Sequence, residues 1–251
     1  MYAAEDIYTA DNQKDADGNR IKYYSKGDLV TTLVTGEDGK AVAKNLPLGQ
    51  YRVVEVEAPY GYVLNPNEQK VTFTYVDDKT PVIKESLTFS NDRQKLAMSV
   101  TKLDAEDNTP IAGAVFGLYA GEDIKNADGK VIIEKGTLLE KAVSDENGMI
   151  AFVKDYPFAK YVAKEIEKPA GYVTNNEVVK FDTEYQGQKV KTAVYNSEYK
   201  NTPTTFEFTK TDITSGAELT GATLTVLDKD GNVIDTWTSD AKEPHIIKKL
   251  V

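Results

Sequence analysis

The sequence predicts an all-β protein made of β-sandwich domains in tandem. Strand-forming residues are abundant, with 15 Tyr and many Val and Thr, and apolar and polar residues alternate in short runs. Turn signals separate these runs at short intervals, and a long amphipathic helical pattern is not visible. One strand-like segment occurs twice at a domain-sized spacing, which is too long for a solenoid repeat.

Composition limits the classes of function. The 251 residues can hold two or three small domains, and the net charge of -10 argues against a nucleic-acid partner. Cys is absent, which excludes disulfides, thiol nucleophiles and thiolate metal sites, and a single His245 cannot form a His cluster. We see neither a signal peptide nor an apolar run of membrane-spanning length.

The repeated segment spans Tyr51–Tyr62 and Tyr161–Tyr172, and both copies read Y-x-x-x-E-x-E-x-P-x-G-Y. Side chains two residues apart share a strand face, so the first acid of each copy, Glu55 or Glu165, is predicted on the same face as a Tyr. Pro and Gly then end the strand in a turn. An acid in that position is either solvated on an outer face or buried with a chemical role.

The spacing divides the chain into three repeats. Glu165 follows Glu55 by 110 residues (165 − 55), and Asn201 follows Asn91 by the same 110 (201 − 91). We predict a first repeat at 1–94 that lacks its first strand or strands, a complete repeat at 95–203, and the N-terminal part of a third at 204–251. Alternating runs between turn signals predict strands at residues 29–35, 41–44, 70–76, 85–91, 97–104, 149–153, 177–181, 189–201, 221–227 and 233–237, beside the two Tyr segments.

The Asp-Gly and Asn-Gly turns do not match the ligand pattern of a calcium-binding loop. With Gly18, Gly148 or Gly231 at the sixth position of a calcium loop, none has an acid at both the first and the twelfth positions. We predict hairpin turns there, with no metal and no cofactor.

Three residue types recur in register: Lys102 and Lys210 in a first strand, Glu55 and Glu165 in the Tyr strand, and Asn91 and Asn201 ending a last strand. The chain also contains T-K-L-D at Thr101, T-K-T-D at Thr209, G-A-V-F-G-L-Y at Gly113, E-x-E-x-P-x-G-Y twice and Y-K-N-T-P at Tyr199. In these residues and motifs it resembles the collagen-adhesin B-type or pilin-type domains of Gram-positive surface proteins. The resemblance implies immunoglobulin-like or prealbumin-like β-sandwiches, the first and last incomplete.

The resemblance also implies an internal isopeptide bond from Lys102 to Asn201, with Glu165 as the proton-handling group. A solvated Lys has a pKa of about 10.4, and burial lowers it, so a buried amine can become a neutral nucleophile. Phe116, Tyr161 or Tyr199 would supply the apolar shell. The first repeat has Glu55 and Asn91 without the Lys, and the third has Lys210 alone, so neither has a complete set.

Several alternatives stay open. Without the bond, Lys102 and Glu165 would be solvated or paired as a surface salt bridge worth under about 1 kcal/mol, and Asn201 would be a turn residue. Asn196 is a rival acceptor. The incomplete repeats indicate a fragment of a longer surface protein or, less simply, neighbouring molecules that complete each other in trans.

We expect a structural stalk segment of a cell-wall-anchored adhesin or pilin outside a Gram-positive cell. Its parent's partners would be host surface or matrix proteins or other pilin subunits. The alternative is a host- or matrix-protein-binding module. An enzyme is the weakest hypothesis: Glu165 and Glu167 resemble a glycosidase pair only in being two acids on one predicted strand face.

Overall fold

The computed structural model describes residues 1–9, 11, 13–80, 82–240 and 242–250. Throughout these residues the regular structure is strand, without a helix, so the predicted all-β class is confirmed. The strands are β1 Tyr2–Ala3, β2 Ile7–Tyr8, β3 Lys22–Tyr24, β4 Gly49–Val53, β5 Gln69–Phe73, β6 Lys95–Asp104, β7 Val115–Ala120, β8 Ile124–Lys125, β9 Val131–Ile133, β10 Leu138–Val143, β11 Met149–Phe152, β12 Lys160–Glu167, β13 Val178–Asp182, β14 Thr192–Asn201, β15 Thr205–Phe208, β16 Thr223–Leu227, β17 Val233–Thr238 and β18 His245–Lys248.

The chain forms two compact units. The first contains Met1–Gln94 with Tyr185–Lys191, and the second contains Lys95–Glu184 with Thr192–Val251. The second unit therefore groups most of the predicted second repeat with the third. The division into repeats at 94 and 203 stays a prediction from the sequence.

The first unit contains a three-stranded antiparallel sheet of order β1-β4-β5 and the pair β2-β3. Its core is small and consists of four buried residues: Ala3, Ile7, Tyr51 and Val71. The Tyr51 hydroxyl donates a hydrogen bond of 2.6 Å to the Pro47 carbonyl. This bond satisfies the polar end of the largest core side chain.

The second unit contains two larger sheets. One has the order β10-β7-β12-β13 and is antiparallel, and the other has the order β11-β6-β14, in which β6 and β14 run parallel. Buried side chains from both sheets share one core, as expected of a sandwich. They include Met98, Val100, Phe116, Leu118, Ile150, Tyr161, Ala163, Phe181, Ala193 and Tyr199.

The two copies of the repeated segment occupy equivalent places. Ala3 pairs with Tyr51 in the first unit as Ala120 pairs with Tyr161 in the second. The hydroxyl of Tyr161 reaches the Pro157 carbonyl at 2.5 Å, as Tyr51 reaches its own proline. The sequence repeat is therefore also a repeat of strand register and of tyrosine hydrogen bonding.

Residues 204–250 add the antiparallel pairs β15-β18 and β16-β17 to the second unit. His245 is the first residue of β18. Its ring stacks on Trp237 at a centroid distance of 4.2 Å and its Nε2 lies 2.7 Å from Asp235 Oδ2.

Three predicted strands of the first repeat are wrong. Residues 29–35, 41–44 and 85–91 form no strand beyond a single bridge from Leu29 to Tyr2. A strand needs a neighbouring backbone to accept its hydrogen bonds. In the second repeat β14 has β6 as that neighbour, whereas the described residues place no strand beside 85–91.

Candidate functional site

Lys102 lies in the core at the C-terminal part of β6. Alternate residues of this strand face inward, and Lys102 continues the buried row of Leu96, Met98 and Val100 with 0% exposure. Its Nζ contacts the Leu103 carbonyl at 3.5 Å, which is long for a hydrogen bond. A buried ammonium without a short hydrogen bond is costly, so this lysine is not an ordinary strand residue.

Asn201 is the last residue of β14 and is also fully buried. Because β6 and β14 are parallel, their C-terminal ends meet: Tyr199 pairs with Lys102, and Asn201 pairs with Asp104. The rival Asn196 is exposed, and its Oδ1 accepts a hydrogen bond from Ser99 at 2.6 Å. The burial pattern therefore favours Asn201 as the partner of Lys102.

Glu165 approaches Asn201 from the opposite sheet. It lies in β12 opposite Phe116, and its Oε2 accepts a hydrogen bond of 3.0 Å from Asn201 Nδ2. The same Nδ2 donates to the Val173 carbonyl at 3.0 Å. A β-bulge follows Glu165, so Glu167 is exposed and does not share its face, contrary to the predicted alternation.

The electrostatics of this cluster come mainly from burial. Desolvation lowers the pKa of Lys102 to about 8, although the nearby carboxylates of Glu165 and Asp104 act in the opposite direction. Glu165 Oε1 and Asn201 Oδ1 are buried without a hydrogen-bond partner among the described residues. The site thus brings together a readily deprotonated amine, a carboxylate and an amide whose polar atoms are incompletely satisfied.

Aromatic rings cover the cluster. Phe116 and Tyr199 pack edge to face with centroids 4.9 Å apart, and Lys102 Nζ lies 5.5 Å from the Tyr199 ring centroid. Tyr161, the third predicted member of the shell, instead packs against Tyr156 at 5.5 Å. Two of the three predicted aromatics therefore surround the site.

The equivalent residues elsewhere form only part of this arrangement. In the first unit Asn91 Nδ2 donates to Glu55 Oε2 at 2.6 Å and to the Val63 carbonyl at 2.9 Å. Lys210 is exposed near the end of β15. The Glu–Asn contact is therefore repeated without a buried lysine.

The Asp-Gly and Asn-Gly turns satisfy their own carboxylates. Asp15, Asp145 and Asp228 each accept hydrogen bonds from backbone amides two and four residues later. Within the described ranges, no group of three or more His, Cys, Asp and Glu side chains is placed to hold a metal ion. The same residues contain no helix of a length and hydropathy suited to crossing a membrane.

The sequence interpretation missed one neighbouring group. Asp104 is 1% exposed, and its Oδ2 accepts hydrogen bonds from the Tyr172 hydroxyl at 3.0 Å and Lys249 Nζ at 2.8 Å. Asp104 and Tyr172 belong to quoted motifs, but no sequence signal marks Lys249. Only the fold places the three together.

The chain is similar to surface proteins of Gram-positive bacteria. It is 25% identical over 150 residues to the trypsin-resistant surface T6 protein of Streptococcus pyogenes serotype M6, which covers 55% of this chain and 26% of that protein. The structure of the Bacillus anthracis TIE protein matches 94% of this chain and 39% of its own, at 24% identity and a TM-score of 0.54. The Bacillus cereus major pilin subunit BcpA matches 47% of this chain and 31% of its own, at 23% identity and a TM-score of 0.32.

The chain thus spans about a quarter of the streptococcal relative and about two fifths of the anthrax protein. The family model of the SpaA prealbumin-like fold domain matches three stretches, residues 8–86, 97–198 and 204–250. These stretches cover most of the chain, and they follow one another in the same order as the repeated sequence motifs. The chain therefore belongs to the family of SpaA prealbumin-like fold domains.

Proposed function

We propose that this chain is a structural stalk segment of a surface adhesin or pilin, and that an isopeptide bond joins Lys102 to Asn201. The observation that carries the proposal is the full burial of Lys102 and Asn201 beside the half-buried Glu165, where β6, β12 and β14 meet. Glu165 is the group that transfers the proton.

The bond forms by amide exchange within the folded domain. The neutral Lys102 Nζ attacks Cγ of Asn201, and Glu165 transfers the amine proton to the Asn201 amide nitrogen. The Cγ–Nδ2 bond breaks, ammonia leaves, and a secondary amide remains. The product carries no charge, so the cost of burying an ammonium disappears. One turnover per molecule makes this self-modification rather than enzymatic catalysis.

The crosslink would resist mechanical extension. Under load, β6 and β14 would have to separate along their parallel ladder, and a covalent bond near its end prevents that separation. The bond also closes a loop of nearly the whole repeat, which disfavours the unfolded chain by about 4 to 5 kcal/mol in the chain-entropy model. A chain without Cys has no disulfide for this purpose.

Location and partners follow from the relatives by analogy. The streptococcal relative is described as a trypsin-resistant surface protein. We place this chain outside a Gram-positive cell, as part of a longer wall-anchored protein. Its partners there are other subunits of a surface fibre, or host proteins bound by other parts of the parent.

The intact mass of the purified chain tests the crosslink. We expect a deficit of one ammonia relative to the sequence mass, and one branched peptide containing Lys102 and Asn201 after digestion. The Asn201→Ala variant should have the mass calculated from its own sequence, without the ammonia deficit. Asn196→Ala is the matched control and should keep the deficit, because Asn196 is exposed and bonded to Ser99. A wild-type chain of unmodified mass would rule the crosslink out.

A further inference from the structure

Asp104 is a buried carboxylate with an unusual set of partners. Its Oδ1 accepts the Glu106 amide at 2.8 Å, whereas its Oδ2 receives both the Tyr172 hydroxyl and the Lys249 ammonium. A carboxylate with 1% exposure needs such compensation, because an unpaired buried charge is strongly destabilising. The Oδ2 side of Asp104, together with the Tyr172 hydroxyl, thus forms a small site with the geometry and charge to hold an ammonium group.

The ammonium comes from the segment that follows β18. Lys249 has a left-handed backbone with φ of 59°, and its amide donates to the Thr204 carbonyl at 2.9 Å. The Thr204 amide in turn donates to the Gly171 carbonyl at 2.9 Å. The backbone therefore delivers the Lys249 side chain to Asp104 from residues matched as a separate copy of the family domain.

Gly171 allows this close approach. Its φ is 79°, and a Cβ there would lie 2.8 Å from the Lys249 carbonyl oxygen. The P-x-G-Y motif thus contributes twice: Gly171 leaves room for the incoming backbone, and the next residue, Tyr172, donates a hydrogen bond to Asp104.

The corresponding aspartate of the next T-K-x-D motif shows what the ammonium adds. Asp212 Oδ1 accepts only local bonds in the described structure, from the Thr214 amide and from the amide and hydroxyl of Ser215. Asp104 has one comparable local bond and two bonds from distant residues. The T-K-x-D motif alone therefore accounts only for the local hydrogen bonds of its aspartate. The ammonium site also requires groups from both the second and the third repeats.

We propose that Asp104 and Tyr172 form an ammonium-binding site that fastens the following repeat to the second repeat through Lys249. Asp104 and Lys249 lie in the same compact unit. Their contact helps to explain why the residues that follow the second repeat belong to that unit. Desolvation alone would raise the pKa of Asp104, but hydrogen bonds from Lys249, Glu106 and Tyr172 lower it to about 2. Bonds to Asp104 and Tyr172 likewise raise the pKa of Lys249, so both partners are charged at neutral pH. The site is distinct from the proposed crosslink.

Amide hydrogen exchange of the full chain tests this joint. In Lys249→Met we expect the amides of Thr204 and of position 249 to exchange at least tenfold faster than in the wild type, because the docked segment opens more often. The Lys102 amide, bonded to the Gly148 carbonyl within the second repeat, should keep its wild-type rate. Lys249→Arg retains the charge and should retain most of the protection.

Lys248→Met is the matched control. Lys248 is the adjacent residue and pairs with Glu106 at 2.5 Å, but both side chains are nearly half exposed, so its loss should change exchange less than twofold. The proposal is overturned if Lys249→Met stays within twofold of the wild type, if Lys248→Met has the same effect, or if the faster exchange extends equally to Lys102. None of these outcomes depends on whether Lys102 is bonded to Asn201.

Discussion

Glu165 Oε2 accepts a hydrogen bond of 3.0 Å from Nδ2 of Asn201. The same contact joins Glu55 and Asn91 in the first unit at 2.6 Å, where no buried lysine corresponds to Lys102 in the described residues. The contact is therefore part of how the repeat folds, independent of any bond-forming chemistry. What distinguishes the second repeat is the fully buried amine beside it.

This comparison separates the structural and chemical roles of Glu165. Glu165→Gln keeps an oxygen that accepts the Asn201 hydrogen bond but removes the group that transfers the proton. We expect the fold to persist while the intact mass shows no loss of ammonia. Mass spectrometry and circular dichroism on the same sample measure both. The free energy of unfolding should fall by about 1 kcal/mol for the altered hydrogen bond and by about 4 to 5 kcal/mol for the missing crosslink.

Glu55→Gln is the control for that substitution. It makes the same change in a Glu–Asn contact without a lysine. It should therefore lower the free energy of unfolding by only about 1 kcal/mol and leave the ammonia deficit of the second repeat intact. Crosslinking of Glu165→Gln to the wild-type extent would contradict the role given to Glu165.

The rate of crosslinking should depend on pH through Lys102. Only the neutral amine attacks, and its fraction rises about tenfold per pH unit below the pKa and levels off above it. Since burial lowers the pKa of Lys102 to about 8, the rate should rise up to about pH 8 and then become constant. Unmodified chain isolated in denaturant and refolded at each pH provides the starting material, and mass spectrometry follows the product. A rate that still rises tenfold between pH 9 and pH 10 would indicate a solvated lysine and contradict this assignment.

The sequence predicted the strands of the second repeat well because they are amphipathic and each pairs with at least one neighbouring strand. The run 97–104 was predicted and β6 spans Lys95–Asp104, while 177–181 corresponds to β13 at Val178–Asp182. Alternation reports burial directly in such strands. Residues 85–91 have a similar pattern but no neighbouring strand, and the pattern alone cannot reveal whether a partner exists.

The site was predictable only in part, for a related reason. Lys102, Glu165 and Asn201 stand out because they recur in register and match a family pattern. The bulge that turns Glu167 outward has no periodic signal, since it changes the register of one residue. Lys249 meets Asp104 through distant parts of the chain, and a lysine near a turn is otherwise an ordinary surface residue.

The tyrosine hydroxyl at the start of each repeated segment should contribute to stability. Tyr161 has 0% exposure and donates to the Pro157 carbonyl at 2.5 Å. Tyr161→Phe removes the donor and leaves that carbonyl without it, so we expect a loss of about 1 to 2 kcal/mol in the free energy of unfolding. Urea unfolding measures the loss, and Tyr51→Phe should have a similar effect on the first unit.

Tyr23→Phe is the control for the tyrosine variants. The Tyr23 side chain is 56% exposed, and its substitution should stay within about 0.5 kcal/mol of the wild type. Equal unfolding midpoints for Tyr161→Phe and Tyr23→Phe would show that the buried hydrogen bond adds no net stability.

Gly148 should be the most sensitive glycine near the site. Its φ is 71°, and a Cβ there would lie 2.3 Å from the Lys102 carbonyl oxygen, a backbone atom that cannot move without shifting β6. Gly148→Ala therefore combines the cost of a left-handed backbone, about 1 to 2 kcal/mol, with overpacking of about 1 to 3 kcal/mol. Gly129→Ala isolates the first cost, because Gly129 has φ of 78° and open space around it.

We expect urea unfolding to rank the free energies of unfolding, from highest to lowest, as wild type, Gly129→Ala and then Gly148→Ala. The displaced Lys102 should also make crosslinking slower in Gly148→Ala only. Equal destabilisation by the two substitutions would mean that β6 adjusts freely around Lys102, contrary to the rigid placement on which the crosslinking chemistry depends.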